Sequence, residues 1–110
     1  MRPVSVNPEP DATLRVELRG ELDIAHTEQI LNEIQSAIDS FLPRTVRMDL
    51  SGVTFIDSTG LGTLINSMKA AHEAGSDYEL THVPELVRSR LRRTGLSDVF
   101  GLAEEGDPPP

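Results

Sequence analysis

The chain has no cysteine, no tryptophan and a single lysine. Without cysteine there is no disulfide scaffold and no thiolate metal site, and a cytoplasmic address is permitted. The lone lysine, Lys69, follows Met68 and precedes Ala70, which excludes a Gly-Lys-Ser/Thr phosphate loop. No apolar run approaches the roughly 20 residues of a membrane span. The opening Met1-Arg2-Pro3-Val4-Ser5-Val6-Asn7 lacks the apolar centre of a signal peptide, so neither a leader nor membrane insertion is expected. Positive charge is also scarce: 10 bases face 18 acids, for a formal charge of -8. Such a domain repels phosphate backbones, which argues against nucleic-acid binding. What remains is ordinary for one folded unit: 110 residues, 37% hydrophobic and 25% charged. A chain of this length buries roughly 65% of its unfolded surface, enough for a core without staples.

The hydrophobic pattern changes period along the chain. Val4–Val6 reads as a short strand, and Asn7-Pro8-Glu9-Pro10-Asp11 as a turn, because proline fixes φ and lacks a donor. Leu14, Val16 and Leu18 alternate with Arg15, Glu17 and Arg19, a half-buried strand ending near Gly20. After Glu21-Leu22, Asp23 reads as the N-cap of a helix whose stripe is Ile30, Leu31, Ile34, Ala37, Ile38 and Phe41. Glu28 suits its first turns, and Pro43 stops it. Val46, Met48 and Leu50 predict another strand, broken at Ser51-Gly52 and followed by a short apolar run, Val53-Thr54-Phe55-Ile56. Asp57-Ser58-Thr59-Gly60 opens a second helix with Leu61, Leu64, Ile65, Met68 and Ala71 on its core face and Gly75 as terminator. Tyr78–Val83 reads as a strand. A third helix starts with Pro84 at its first position and ends before Gly95. The order β-β-α-β-α-β-α predicts an α/β sheet with parallel crossovers and one antiparallel neighbour. Residues 1–102 form the expected domain. Residues 103–110, acidic and proline-rich, are an expected disordered tail.

One segment breaks local rules. Phe55-Ile56-Asp57-Ser58-Thr59-Gly60-Leu61-Gly62 places two glycines in the first turns of a helix. Each costs about 1 kcal/mol against alanine in a helix interior, so a close approach is expected there, by the chain's own sheet or by a partner. The segment joins a strand end to a helix N-terminus, the edge of an α/β sheet where ligands and partners bind. Ser58 stands where a phosphate of about -1.5 to -2 charge would be tolerated by the free N–H groups of the helix. Asp57 and Asp23 would oppose that charge if both precede helices on one edge. The plainer alternative is that Asp57 or Ser58 only caps the helix, and that Gly60 and Gly62 only permit tight packing.

That octapeptide resembles the signature of the STAS domain family in its anti-sigma factor antagonist branch. Gly20-Glu21-Leu22-Asp23 is similar to a second signature of the family, and Met48-Asp49-Leu50-Ser51 sits where its central strand falls. Pro84, Leu86, Leu91 and Thr94-Gly95-Leu96 resemble its third-helix region, so the likeness runs from about Val4 to Leu102. It implies a single domain with a mixed sheet of four or five strands backed by helices. It also implies an antagonist that binds an anti-sigma serine kinase of the GHKL ATPase type and so frees a sigma factor. The kinase would phosphorylate Ser58, with Thr59 as a minor acceptor, and a PP2C-type phosphatase would reset the chain. Asp23, Asp57, Ser58, Thr59, Gly60 and Leu61 would form the docking surface. The chain would be a kinase substrate, not an enzyme, with no cofactor of its own; a homodimer is a further expectation. The likeness also implies an alternative, an accessory subunit of another assembly such as a lipid-transport ATPase or a stressosome-like scaffold. One departure stands out: no amphipathic stripe follows Phe100, so the family's last helix should be short or absent and could leave an apolar patch open.

Other chemistries fit poorly. A nucleophile elbow needs glycine two residues before the serine, where Ile56 stands. An aspartic protease needs two paired lobes, and a phospho-accepting receiver needs a lysine on a later strand, whereas Lys69 falls mid-helix. His26, His72 and His82 read as core, edge or surface residues, and His26-Thr27-Glu28 lacks further metal ligands at helical spacing. Arg88, Arg90, Arg92 and Arg93 read as a solvated face, or as a contact for an acidic partner.

Overall fold

Twelve residues of one strand lie beside ten of its neighbour, and this mismatch shapes the edge that matters. The computed structural model describes residues 2–102; the expected tail lies outside them. Strands β1 (Val4–Pro8), β2 (Thr13–Leu22), β3 (Thr45–Ile56) and β4 (Asp77–Thr81) form one sheet in the order β1-β2-β3-β4. Strand β1 runs antiparallel to β2, whereas β2, β3 and β4 are parallel. Helices α1 (Thr27–Phe41), α2 (Ser58–Glu73) and α3 (Glu85–Arg93) complete the element order read from the sequence. The expected mixed sheet of four or five strands has four among the described residues.

Side chains on one face of the sheet build the core: Leu14, Val16 and Leu18 from β2, and Val46, Met48 and Leu50 from β3, with Ile30, Ile34 and Ile38 of α1 and Leu64 of α2. Alternation sends the neighbouring residues to the opposite face, where charges pair along β2, Arg15 and Arg19 with Glu17, and across from β3 to β4, Arg47 with Glu79. Helix α2 is pinned to β4 by the Ser67 and Tyr78 hydroxyls, 2.7 Å apart. Burial pushes the Tyr78 hydroxyl well above the ordinary tyrosine range.

Several sequence expectations need correction. Strand β1 includes Asn7 and Pro8, and its turn begins only at Glu9. Ser51-Gly52 does not break β3. Arg19 pairs with Gly52 and Glu21 with Phe55, so β3 carries one surplus residue before each. Its buried apolar positions therefore run 46, 48, 50, 53, 56, a spacing that changes from two to three. Helix α1 is capped at His26, not Asp23. Pro84 is an extended N-cap outside α3, and Glu85 is the first helical residue. Ile65 and Met68 are only half-buried, because the buried face of α2 is rotated to include Thr63 and Ser67. Both hydroxyls donate to carbonyls of their own helix, which makes their burial tolerable. Gly75 and Gly95 end their helices at φ 81 and 74, as expected. No helix follows α3 among the described residues. Phe100 instead lies 6.2 Å from the Tyr78 ring, Leu102 is buried, and Val99 stays 48% exposed.

Two outcomes follow. Leu42, the C-cap of α1, is 72% exposed yet held in the left-handed region at φ 50 ahead of Pro43. Leu42→Gly should stabilise the domain by about 0.5–1 kcal/mol, read as a higher urea midpoint with unchanged slope. Asp49 faces the charged side of the sheet. Burial alone would raise its carboxyl, but the Ser51 N–H and hydroxyl, His82 and Arg15 hold it below the ordinary range. Its contribution is therefore complete above about pH 4 and disappears as pH falls through the lower folded value. Asp49→Asn should cost about 1 kcal/mol at pH 7, and the gap between the two urea midpoints should close in strong acid.

Candidate functional site

The C-terminal ends of β2 and β3 converge on one edge, and a helix leaves each. The chain after β2 turns through Asp23–His26 before α1 begins. Asp23 is not spent on the helix. Its Oδ1 accepts the Ala25 N–H at 3.1 Å and lies 3.0 Å from His26 Nδ1, and its carbonyl accepts the His26 N–H at 3.1 Å. The carboxylate that sequence reading set against an added phosphate thus already has donors. The turn pushes Ile24 into solvent, 80% exposed.

Helix α2 leaves β3 directly. Asp57 is its N-cap, in extended backbone, and its Oδ1 accepts the Gly60 N–H at 2.9 Å. Ser58 is the first helical residue and is exposed; Thr59 is half-buried. Gly60 and Leu61 are buried, so their side of the helix is turned to the core. The close approach expected of the glycines is real at Gly60 and made by the chain itself. A Cβ built there would stand 2.2 Å from the Leu22 carbonyl oxygen and 2.8 Å from Ile56 Cγ1. At Gly62 it would meet nothing within 4 Å, so tight packing is not the reason for that glycine. The Asp57 N–H also reaches the Leu22 carbonyl, at 3.4 Å.

The edge therefore brings together Asp23, Asp57, Ser58 and Thr59 over a buried Gly60-Leu61 footing. Sequence reading missed four contributors. Ile24, just past the end of β2, and Phe55, 44% exposed near the end of β3, add apolar surface to this edge. Ile24 was detectable as an apolar residue outside the α1 stripe. Phe55 was hidden because an apolar run does not reveal a bulge. Thr27 and Thr63, whose hydroxyls are 3.1 Å apart, join the start of α1 to α2 across 36 positions, and no local pattern signals that. The described residues contain no group of three or more metal-ligating side chains, and none of their helices is long and apolar enough to cross a membrane.

The two glycines should respond oppositely. Gly60→Ala must displace backbone and should destabilise by about 3 kcal/mol or more. Gly62→Ala should stabilise by about 0.5–1 kcal/mol from helix propensity alone. Thermal or urea unfolding of the two variants separates these outcomes; a neutral Gly60→Ala would contradict the packing.

Comparison with known proteins agrees with this architecture. The anti-sigma-B factor antagonist of Staphylococcus aureus (strain NCTC 8325 / PS 47) is 28% identical over 94 residues, 86% of each chain. The anti-sigma factor antagonist SpoIIAA, solved in its unphosphorylated form, superimposes with a TM-score of 0.73 at 25% identity, covering 86% of this chain and 83% of that one. The Bacillus cell fate determinant SpoIIAA in its phosphorylated form shares the fold, with a TM-score of 0.68 at 24% identity over 86% of each. The family described as "Mlab, STAS domain" matches residues 6–103, and the chain belongs to the STAS domain family.

Proposed function

We propose that this chain is an anti-sigma factor antagonist switched by phosphorylation of Ser58. In its unmodified state it docks on an anti-sigma serine kinase of the GHKL type and frees that kinase's sigma factor. The kinase phosphorylates Ser58, with Thr59 as a minor acceptor, and docking fails; a PP2C-type phosphatase restores it. The observation that carries this reading is the placement of Ser58: exposed, in the first turn of α2, with the apolar side chains of Ile24 and Phe55 on the same edge. The named antagonists among the relatives support it, as does the existence of a phosphorylated form of one of them. The ligand of this system, ATP, belongs to the kinase, and the chain itself is a substrate rather than an enzyme.

The physics sets the direction of the switch. A helix N-terminus tolerates a phosphate, so the modified chain keeps its fold. The same dianion inside a close interface must shed water, and here it joins Asp57 on the preceding residue and Asp23 on the neighbouring turn. Because Asp57 already fills the Gly60 N–H, the helix end has less left to offset the new charge.

Incubation with ATP and each candidate anti-sigma kinase of the same genome should add one phosphate to the intact mass, absent in Ser58→Ala. Ser58→Asp should bind that kinase more than tenfold more weakly than the unmodified chain, and Ser58→Ala should bind it normally. Equal affinities for the two variants would overturn the proposal. So would the absence of any phosphate together with stable co-purification with a transport ATPase, which would favour the accessory-subunit reading.

A further inference from the structure

The sheet ends at β1, whose outer side has no neighbouring strand among the described residues. The ladder to β2 shows which groups face that side. The Pro3 carbonyl accepts the Arg19 N–H at 2.9 Å, and the Thr13 carbonyl accepts the Glu9 N–H at 2.8 Å. In an antiparallel pair, residues that bond inward alternate with residues that do not. Pro3, Ser5, Asn7 and Glu9 therefore bond toward β2, and Val4, Val6 and Pro8 turn their backbone outward. Proline lacks a donor, so the missing N–H of Pro3 falls on the inner side and that of Pro8 on the outer side. Val4 and Val6 keep both groups on the open edge; only the Val4 carbonyl is touched, by Arg2 Nε at 3.4 Å. Beside this edge lies a groove of about 410 Å³, lined by Val6 and by Asn32, Glu33, Ser36, Ala37 and Ser40 of α1. Asn32, Ser36 and Ser40 recur every four residues, so this flank of the helix carries short side chains. In a chain of formal charge -8 the lining holds one charged group, Glu33, and Arg2 pairs with it.

We propose that this edge is a homodimer interface, in which a second copy of the chain adds its own β1 antiparallel, with the twofold axis at Ser5. In that register Val4 of each copy lies opposite Val6 of the other, and each valine both donates and accepts. Pro8 lies opposite Arg2 of the other copy. The donor that Pro8 lacks is not needed there, because the Arg2 carbonyl already accepts the Arg19 guanidinium at 3.2 Å. The neighbouring registers fit worse. An axis at Val6 sets Val4 against Pro8, which has no N–H to give. An axis at Val4 sets the Val6 N–H against the Arg2 carbonyl that Arg19 occupies. The Ser5 axis stands perpendicular to the sheet, so both sets of helices share one face. The two α1 flanks then meet over the joined strands, where short side chains and a neutralised Glu33 permit approach. A stable interface buries about 1,200–2,000 Å² in total, more than a short paired strand supplies, so closure of the two grooves is part of the contact. The Ser58 edges lie at the C-terminal ends of β2 and β3, point away from each other and stay open.

Sedimentation of the full chain from about 1 µM to about 1 mM should show monomer passing to dimer. Ser5→Cys, in a chain with no other cysteine, should give a disulfide-linked dimer with oxidised glutathione. Opposed residues of this kind have Cα atoms about 4.5 Å apart, within disulfide reach. Asn7→Cys, on the same face of the same strand, should not link, because its mate would lie about 13 Å along the strand. Val6→Pro spares the inner ladder and removes an outward donor. It should weaken the dimer about tenfold or more while β2 and β3 amides report an intact fold. Should Val6→Pro not fold, Ser36→Glu, exposed on α1, sets carboxylates against each other over the joined strands and should weaken the dimer at low salt. A monomer at every concentration overturns the proposal. So does a dimer that these variants leave intact, or one that links through Asn7→Cys as readily as through Ser5→Cys. A monomer whose Val4 and Val6 amides gain protection only when an anti-sigma kinase is added would assign the edge to a partner strand and overturn it too.

Discussion

The edge that carries Ser58 exists because a backbone carbonyl and a helix can approach each other where Gly60 has no side chain. With the Leu22 carbonyl oxygen 2.2 Å from where a methyl would be, no other residue lets α2 seat on the end of β2. Everything else on the edge follows from that contact. It sets Asp57 where its N–H reaches the same carbonyl, puts Thr63 within reach of Thr27, and turns Ser58 outward. The conformational cost of a glycine in a helical turn is met by burial around it, with Leu22, Ile56 and Leu61 all 5% exposed or less.

Four aspartates in this chain are builders of local structure. Asp11 accepts the Thr13 N–H, Asp23 that of Ala25, Asp49 that of Ser51 and Asp57 that of Gly60. In each case a short carboxylate satisfies a donor two or three residues ahead, at a turn, a bulge or a helix start. The negative charge of these four, Asp23 and Asp57 beside Ser58 included, is thus already engaged by backbone. A phosphate, by contrast, would arrive with its charge uncommitted.

The strands and helices were legible where one period held. The alternation of β2 and the α1 stripe of Ile30, Ile34 and Ile38 each announced an element, and Gly75 and Gly95 announced its end. Legibility failed where the period changed inside an element, as in β3, where the buried apolar positions step by two and then by three. It failed again where a small polar residue was buried because its hydroxyl had a partner, as with Thr63 and Ser67. At the site, the motif located Ser58 and the footing beneath it, whereas Asp23 was mistaken for a cap. An aspartate that closes a turn and one that caps a helix look alike until the backbone is seen. The Thr27–Thr63 link depends on distant segments meeting and leaves no trace in either.

The surplus residues of β3 bear on how such a chain can change length. A bulge keeps the following residues facing as they would without it, so a residue lost at either bulge leaves Val53 and Ile56 in the core. A residue lost elsewhere in β3 would instead turn the rest of the strand inside out. Single-residue deletions during divergence should therefore survive at these two places and be purged between them. Phe55 stands at one of them, an apolar side chain the sheet does not require, and so one that selection is free to keep, exchange or discard according to what meets that edge.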